Sequence, residues 1–188
     1  MLSDRLLAAP DYDTIRDVKH LELLKRRFGD GALLHCEIML KDVEESRRIT
    51  RAIQGHFGDE TAQTLDVTVA SHLYWPPLAN EPLELPPAIA REAARFEKQY
   101  AHRKAPRKLV WRPSLGCVTL DVEFSDHVVR DVTCTPLHAT ILWHFAQRRK
   151  WALPALAEAL KLPPEITRKK LALWLNRGFI VDAGLTNG

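Results

Sequence analysis

The chain has 188 residues, 46% of them hydrophobic and 27% charged. That balance excludes wholesale disorder and accommodates one large domain or two small ones. The net charge of +3 is mild, so composition permits nucleic-acid binding without urging it.

In chain order, the segment 1–9 places Leu2, Leu6 and Leu7 at helical spacing and is expected to end at Pro10. A second helix runs through His20–Lys25 to Phe28, with Asp13 or Asp17 as its cap, and Gly29-Asp30-Gly31 breaks or kinks it. Leu33–Ile53 is the stretch that the rest is organised around. Cys36, Met39, Leu40 and Val43 share one helical face, while Lys41, Asp42, Glu44, Glu45, Arg47 and Arg48 occupy the other. Lys41 with Glu45 and Glu44 with Arg48 stand one helical turn apart and are expected to pair.

After a polar loop over 55–64, Leu65–Ala70 alternates, with Leu65, Val67 and Val69 on one side, and predicts a strand ending at Trp75-Pro76-Pro77. A helix follows over 88–103, with Ile89, Ala93, Phe96 and Tyr100 on one face. The basic run that brackets Pro106 reads as a solvated connection. Cys117–Phe124 and Val128–Thr133 predict an antiparallel pair joined at Ser125-Asp126-His127, to which Leu65–Ala70 can add. From Thr135, an N-cap followed by Pro136, the period becomes helical. Leu137, Ile141, Leu142 and Phe145 form the first buried face; a short helix covers 154–160, and a third starts at Pro163-Pro164 with Ile166, Leu173 and Trp174 inward. Gly178 closes it as a left-handed cap, and Phe179-Ile180-Val181 reads as a short strand. Trp111 and Trp174 are expected to be buried. Three helices and a strand make a winged-helix-like pattern.

No nucleotide loop, HExxH, nucleophile elbow or catalytic cysteine motif occurs. Cys36, Cys117 and Cys134 are far apart and lack zinc-ligand spacing, so they read as reduced, buried thiols. The eight histidines are scattered, and no metal or other cofactor is expected. The opening MLSDRLLAAP lacks the apolar core of a signal peptide, and no run reaches the length of a membrane span. The expectation is a soluble, non-enzymatic scaffold of the nucleus and cytoplasm.

Met39-Leu40-Lys41-Asp42 followed by Ser46-Arg47-Arg48-Ile49 resembles the signature helix of the cullin homology domain, most closely that of the cullin-like scaffold of the anaphase-promoting complex. The resemblance extends through Met1–Leu7, Glu22–Lys25 with Arg27-Phe28-Gly29, Trp75-Pro76-Pro77, Leu115–Glu123 and Trp174-Leu175. It implies an α+β fold: the end of a helical bundle (1–54), a cullin homology region with a small, mainly antiparallel sheet and a helix (55–134), and a winged-helix-like unit (135–188). It also implies the function of a non-catalytic scaffold in a RING ubiquitin ligase acting in the cell cycle, which positions substrates for ubiquitin transfer and proteasomal degradation.

The partners implied are a RING-H2 zinc subunit, other anaphase-promoting complex subunits and, indirectly, a ubiquitin-conjugating enzyme. An extended tail of the RING subunit would add a strand to the sheet, with Leu65, Val67, Thr68, Val69, Trp75, Val118, Leu120 and Val122 framing its site. The helical repeats and second winged-helix domain of such scaffolds have no counterpart in these residues, so no lysine is assigned for ubiquitin-like modification. The alternative is a winged-helix DNA binder using Thr167-Arg168-Lys169-Lys170 at the start of its recognition helix.

Overall fold

The structure is a computed structural model and describes residues 2–8, 13–57 and 65–184. Two compact units result: 1–80 with 87–116, and 81–86 with 117–188. The strands fall in the same unit as the helices that follow them.

In the first unit, α1 (Leu2–Ala8), α2 (Ile15–Phe28) and α3 (Asp30–Phe57) follow one another. Gly29, at φ 82°, separates α2 from α3, and its N–H caps the carbonyl of Lys25. This backbone region is open to glycine without a Cβ penalty. The expected break is therefore a single residue, and α3 reaches into the first three residues, 55–57, of the segment anticipated as a loop; 58–64 and Pro10 lie outside the described residues. Leu6, Leu21, Met39, Leu40, Val43 and Trp75 form one buried cluster, so the predicted apolar face of α3 is the core face. Asp17 does not cap α2 but is buried near its start, bonded to Arg5 at 2.9 Å, and Asp13 accepts from the N–H of Ile15.

The charged face of α3 pairs differently from the spacing rule. Glu44 and Arg48 meet at 2.6 Å as expected, but Lys41 turns back to Glu37 at 2.7 Å, and Glu45 bonds Lys104. Glu37 also takes Lys25 of α2 at 2.9 Å. The ammonium groups of Lys41 and Lys25 hold the Glu37 carboxyl at about 2, against an ordinary 4.5. A lowered folded-state value means that this carboxylate stabilises the fold above pH 4.5, and that the contribution is lost as pH falls toward 2. Glu37→Gln should therefore unfold at lower denaturant than the unsubstituted chain at pH 6, with the gap closing by pH 2–3; a gap independent of pH would contradict the pairing.

The helix α4 (Pro87–Lys104) buries Ala93, Phe96 and Tyr100, as its periodicity predicts. Phe96 and Tyr100 join Ile53 and Val67 in a second cluster, flanked by Leu65, Val69 and Trp111. Trp111 is half-buried rather than buried. Its ring meets Phe96 edge-on at 6.2 Å, while its N–H reaches out to Glu97 at 3.1 Å.

In the second unit, β1 (Val118–Glu123) and β2 (Val128–Cys134) form a two-stranded antiparallel sheet. The Phe124 N–H bonds the His127 carbonyl at 2.8 Å to close the turn. Register slips by one residue between Leu120 and Val122. Arg130 and Asp131 thus face Asp121 alone, a bulge in which Asp131 takes φ 55° and its N–H bonds the Asp121 carboxylate at 3.0 Å. Leu120 and Val122 pack on a core of Val132, Ile141, Leu156, Leu160 and Trp174. Three helices complete the unit: α5 (Pro136–Gln147), α6 (Leu153–Ala159) and α7 (Pro164–Asn176). Thr135 caps α5 through its side chain, with Pro136 in the first turn.

Two expectations fail, one at each end of α7. Ile166 is 42% exposed, and Thr167 takes the inward position, fully buried with its hydroxyl on the Pro163 carbonyl at 3.1 Å. Phe179–Val181 is no strand. After Gly178, at φ 71°, the N–H groups of Phe179 and Ile180 turn back to the Trp174 carbonyl at 2.9 and 3.4 Å. That spends on the helix end the donors a wing strand needs. The strand expected to complete the winged-helix-like pattern is therefore not formed among the described residues, and Arg168–Lys170 have no such strand after α7 there.

Candidate functional site

Leu65–Ala70 is not a strand of the sheet, but bonds to α3 at every second residue lay it out in extended form, as its alternation predicts. Side chains of α3 take its inner backbone groups instead. The Gln54 amide donates to the Leu65 carbonyl at 3.1 Å and the Thr50 hydroxyl to that of Val67 at 3.3 Å. Ser46 Oγ accepts the Val69 N–H at 2.8 Å while donating to the Asp42 carbonyl at 2.6 Å. Asp42 finishes the series: its carboxylate accepts the Ser71 N–H at 2.8 Å, the Ser71 hydroxyl at 3.0 Å and the Trp75 indole N–H at 2.8 Å.

The match follows from two repeats. Asp42, Ser46, Thr50 and Gln54 are four apart, a rise of about 6 Å per step along a helix. Ser71, Val69, Val67 and Leu65 are two apart, about 6.6 Å per step along an extended chain. Running antiparallel, a polar stripe on a helix thus replaces a neighbouring strand. Side-chain bonding displaces sheet pairing here because α3 offers a short hydrogen-bonding group at every step. Meanwhile Leu65, Val67 and Val69 put their side chains against the Phe96–Tyr100 cluster.

The consequence is an open edge. Successive residues of an extended chain aim their backbone groups to opposite sides. Those of Leu65, Val67 and Val69 face α3, so those of Asp66, Thr68 and Ala70 face away. No backbone hydrogen bond from these three forms among the described residues, and Asp66 and Thr68 are exposed. Sequence reasoning missed the four side chains that hold this edge, having placed Asp42 on the solvent face. The signal was present in the short polar residues at steps of four.

The anticipated site residues divide accordingly. Leu65, Val67, Thr68, Val69 and Trp75 lie in the first unit, and Val118, Leu120 and Val122 in the second. Leu120 and Val122 are spent on the core of their own unit. Trp75 is buried at 6% exposure, its indole N–H on Asp42, and serves as an anchor rather than a contact surface.

Elsewhere the chemistry is sparse. A groove of about 640 Å³ between α3 and α4 is lined by Lys41, Glu44, Glu45, Arg48, Arg103 and Lys104, among others; Glu44 and Glu45 are engaged by Arg48 and Lys104. Cys36, Cys117 and Cys134 are free and half-buried, less buried than expected; burial pushes the Cys134 thiol above its ordinary value, which disfavours the reactive thiolate. Burial, with Lys170 nearby, lowers His138, and burial lowers His144. Among the described residues no group of three or more His, Cys, Asp or Glu is placed to hold a metal, and no helix is long and apolar enough to cross a membrane.

The Cullin alpha+beta domain family matches residues 69–177. The chain is similar to anaphase-promoting complex subunit 2 of Homo sapiens, 36% identical over 96% of this chain and 22% of that protein. It is 34% identical to the subunit 2 protein of Arabidopsis thaliana, over 97% of this chain and 22% of the relative. The corresponding Schizosaccharomyces pombe protein is 35% identical, over 98% of this chain and 27% of its own length. The chain thus spans 22–27% of the length of these relatives. The matched family segment begins at Val69, inside the Asp42-anchored extended stretch, and ends beyond Trp174 at residue 177.

Proposed function

The chain belongs to the cullin family, and from that premise we propose that it is the α/β part of a cullin-like scaffold in a RING ubiquitin ligase of the anaphase-promoting-complex type. Its role is to hold a RING-H2 zinc subunit by strand addition at the Asp66–Thr68–Ala70 edge, and so to position ubiquitin transfer. The observation that carries this reading is the edge itself: an extended segment fixed along one side by α3, with its other side unpartnered among the described residues. An added strand finds donors and acceptors already aligned, with no cost of ordering the receiving chain. On this reading the zinc resides in the partner, and the chain contributes effective concentration rather than chemistry.

Thr68→Pro tests it. Among the described residues the Thr68 N–H makes no hydrogen bond, and its neighbours are already extended, so proline removes a donor from the open edge while leaving the α3 ladder intact. Co-purification with a RING-H2 subunit should be lost in folded Thr68→Pro and kept when Arg168, Lys169 and Lys170 are changed to glutamate. Equal capture by folded Thr68→Pro would sink strand addition; loss only in the triple variant would move the contact to α7.

A further inference from the structure

The link between α5 and α6, residues 148–152, carries three consecutive cations, Arg148, Arg149 and Lys150, all of them exposed. Its backbone is pinned. The Arg148 N–H and the Trp151 indole N–H both donate to the His144 carbonyl, at 3.0 and 3.1 Å. The His144 ring meets those of Trp143 and Trp151 edge-on, at 5.0 and 5.5 Å, and Trp151 packs on the core around Ile141 and Trp174. Arg148 has a structural use: it is the C-cap of α5, where a cation complements the helix end, and its guanidinium lies 5.2 Å from the centre of the Trp151 ring. Arg149 and Lys150 have no such use. Neither forms an ion pair or a side-chain hydrogen bond among the described residues. Other consecutive cations are placed differently. Lys104 pairs with Glu45 and Arg103 with the Ala52 carbonyl, while Arg168, Lys169 and Lys170 stand on one turn of α7 and diverge by about 100° per residue.

We propose that the Arg148–Lys150 link is a docking site for an extended, carboxylate-rich segment of a partner protein. Charge complementarity decides the occupant. Arg149 and Lys150 follow one another along a pinned backbone instead of converging on a pocket, so they match single charges strung along an acidic chain better than one dianionic phosphate. A nucleic-acid strand fits less well, because Arg148 lies over the Trp151 ring, where a base would stack. The pins order the link before anything binds, so its charge-assisted hydrogen bonds to carboxylates form with little further ordering of the backbone. The site lies in the second unit and uses no residue of the Asp66–Ala70 edge.

The test is fluorescence anisotropy of the full chain with a labelled oligoglutamate peptide, with an oligoglutamine peptide and a single-stranded oligonucleotide of equal length as comparisons. Two double variants carry the same change of charge: Arg149→Glu with Lys150→Glu on the link, and Arg168→Glu with Lys169→Glu on α7. The link variant should keep the unfolding midpoint, because neither side chain has an internal partner, and should weaken oligoglutamate at least about tenfold. The α7 variant should change it less than about twofold, and oligoglutamine should not bind. If charge reversal on the link disturbs folding, the neutral pair Arg149→Gln with Lys150→Gln should still weaken the peptide several-fold relative to the unsubstituted chain. Equal losses in the two charge-reversed variants would mean attraction to net charge alone and overturn the site. Failure of the unsubstituted chain to bind oligoglutamate overturns it as well. Tighter binding of the oligonucleotide, lost in the link variant, would give the surface to nucleic acid and overturn the assignment to an acidic peptide.

Discussion

Trp174→Ala is expected to lower the unfolding free energy by about 3–5 kcal/mol, the usual cost of truncating a buried aromatic to alanine. Trp174 has no exposed surface, and both α5 and the residues that follow α7 use it. Its indole N–H donates to the His138 carbonyl on α5 at 3.0 Å. Its face stacks on Phe179 at 5.3 Å and 8°, and the His138 ring meets it edge-on at 6.0 Å. The Arg177 guanidinium lies 5.6 Å from its ring centre. Trp174→Phe separates the contributions, because it keeps an aromatic ring and removes the N–H; it should cost about 1 kcal/mol for the lost bond, plus a smaller packing loss. Urea titration followed by near-ultraviolet circular dichroism reads both. An alanine variant with an unchanged midpoint would contradict the packing of α7 on α5.

Trp174 was legible from the sequence, as were most helices, because burial along a helix has a strong period. Ala93, Phe96 and Tyr100 are inward as their spacing implies, and Leu120 and Val122 turn to the core as strand alternation implies. Failures arose where the period is shared or the partner is unseen. Leu65–Ala70 has the pattern of a half-buried strand, and it is extended and half-buried; alternation says nothing of whether a strand or a helix takes the backbone bonds. Ile166 and Thr167 are adjacent at the start of α7, and choosing the apolar one put the buried face one residue out of phase. The open edge was illegible for the same reason as its support. A backbone group without a partner leaves no mark on the sequence, and only the short polar stripe from Asp42 to Gln54 hinted at it.

The residue on which that stripe ends should produce the second large effect. Asp42→Ala removes the acceptor of three donors at once: the Ser71 N–H, the Ser71 hydroxyl and the indole N–H of Trp75. Trp75 is 6% exposed, so water reaches its N–H poorly and the donor is left unsatisfied. Hydrogen bonds to a charged acceptor contribute about 1.5–3 kcal/mol each; since the three share one carboxylate, the expected loss is about 2–4 kcal/mol rather than their sum. Asp42→Asn retains one acceptor oxygen but sets an amide N–H₂ against a donor, and should fall between alanine and the native residue. A double-mutant cycle locates the interaction: in a Trp75→Phe background, which has no indole N–H, Asp42→Ala should cost measurably less. Because Asp42 ties the end of the extended segment to α3, folded Asp42→Asn should also lose affinity for the RING-H2 subunit, although Asp42 itself lies behind the proposed contact edge. Additive losses in the cycle, or full stability of Asp42→Ala, would mean that the carboxylate does not tie the extended segment to α3.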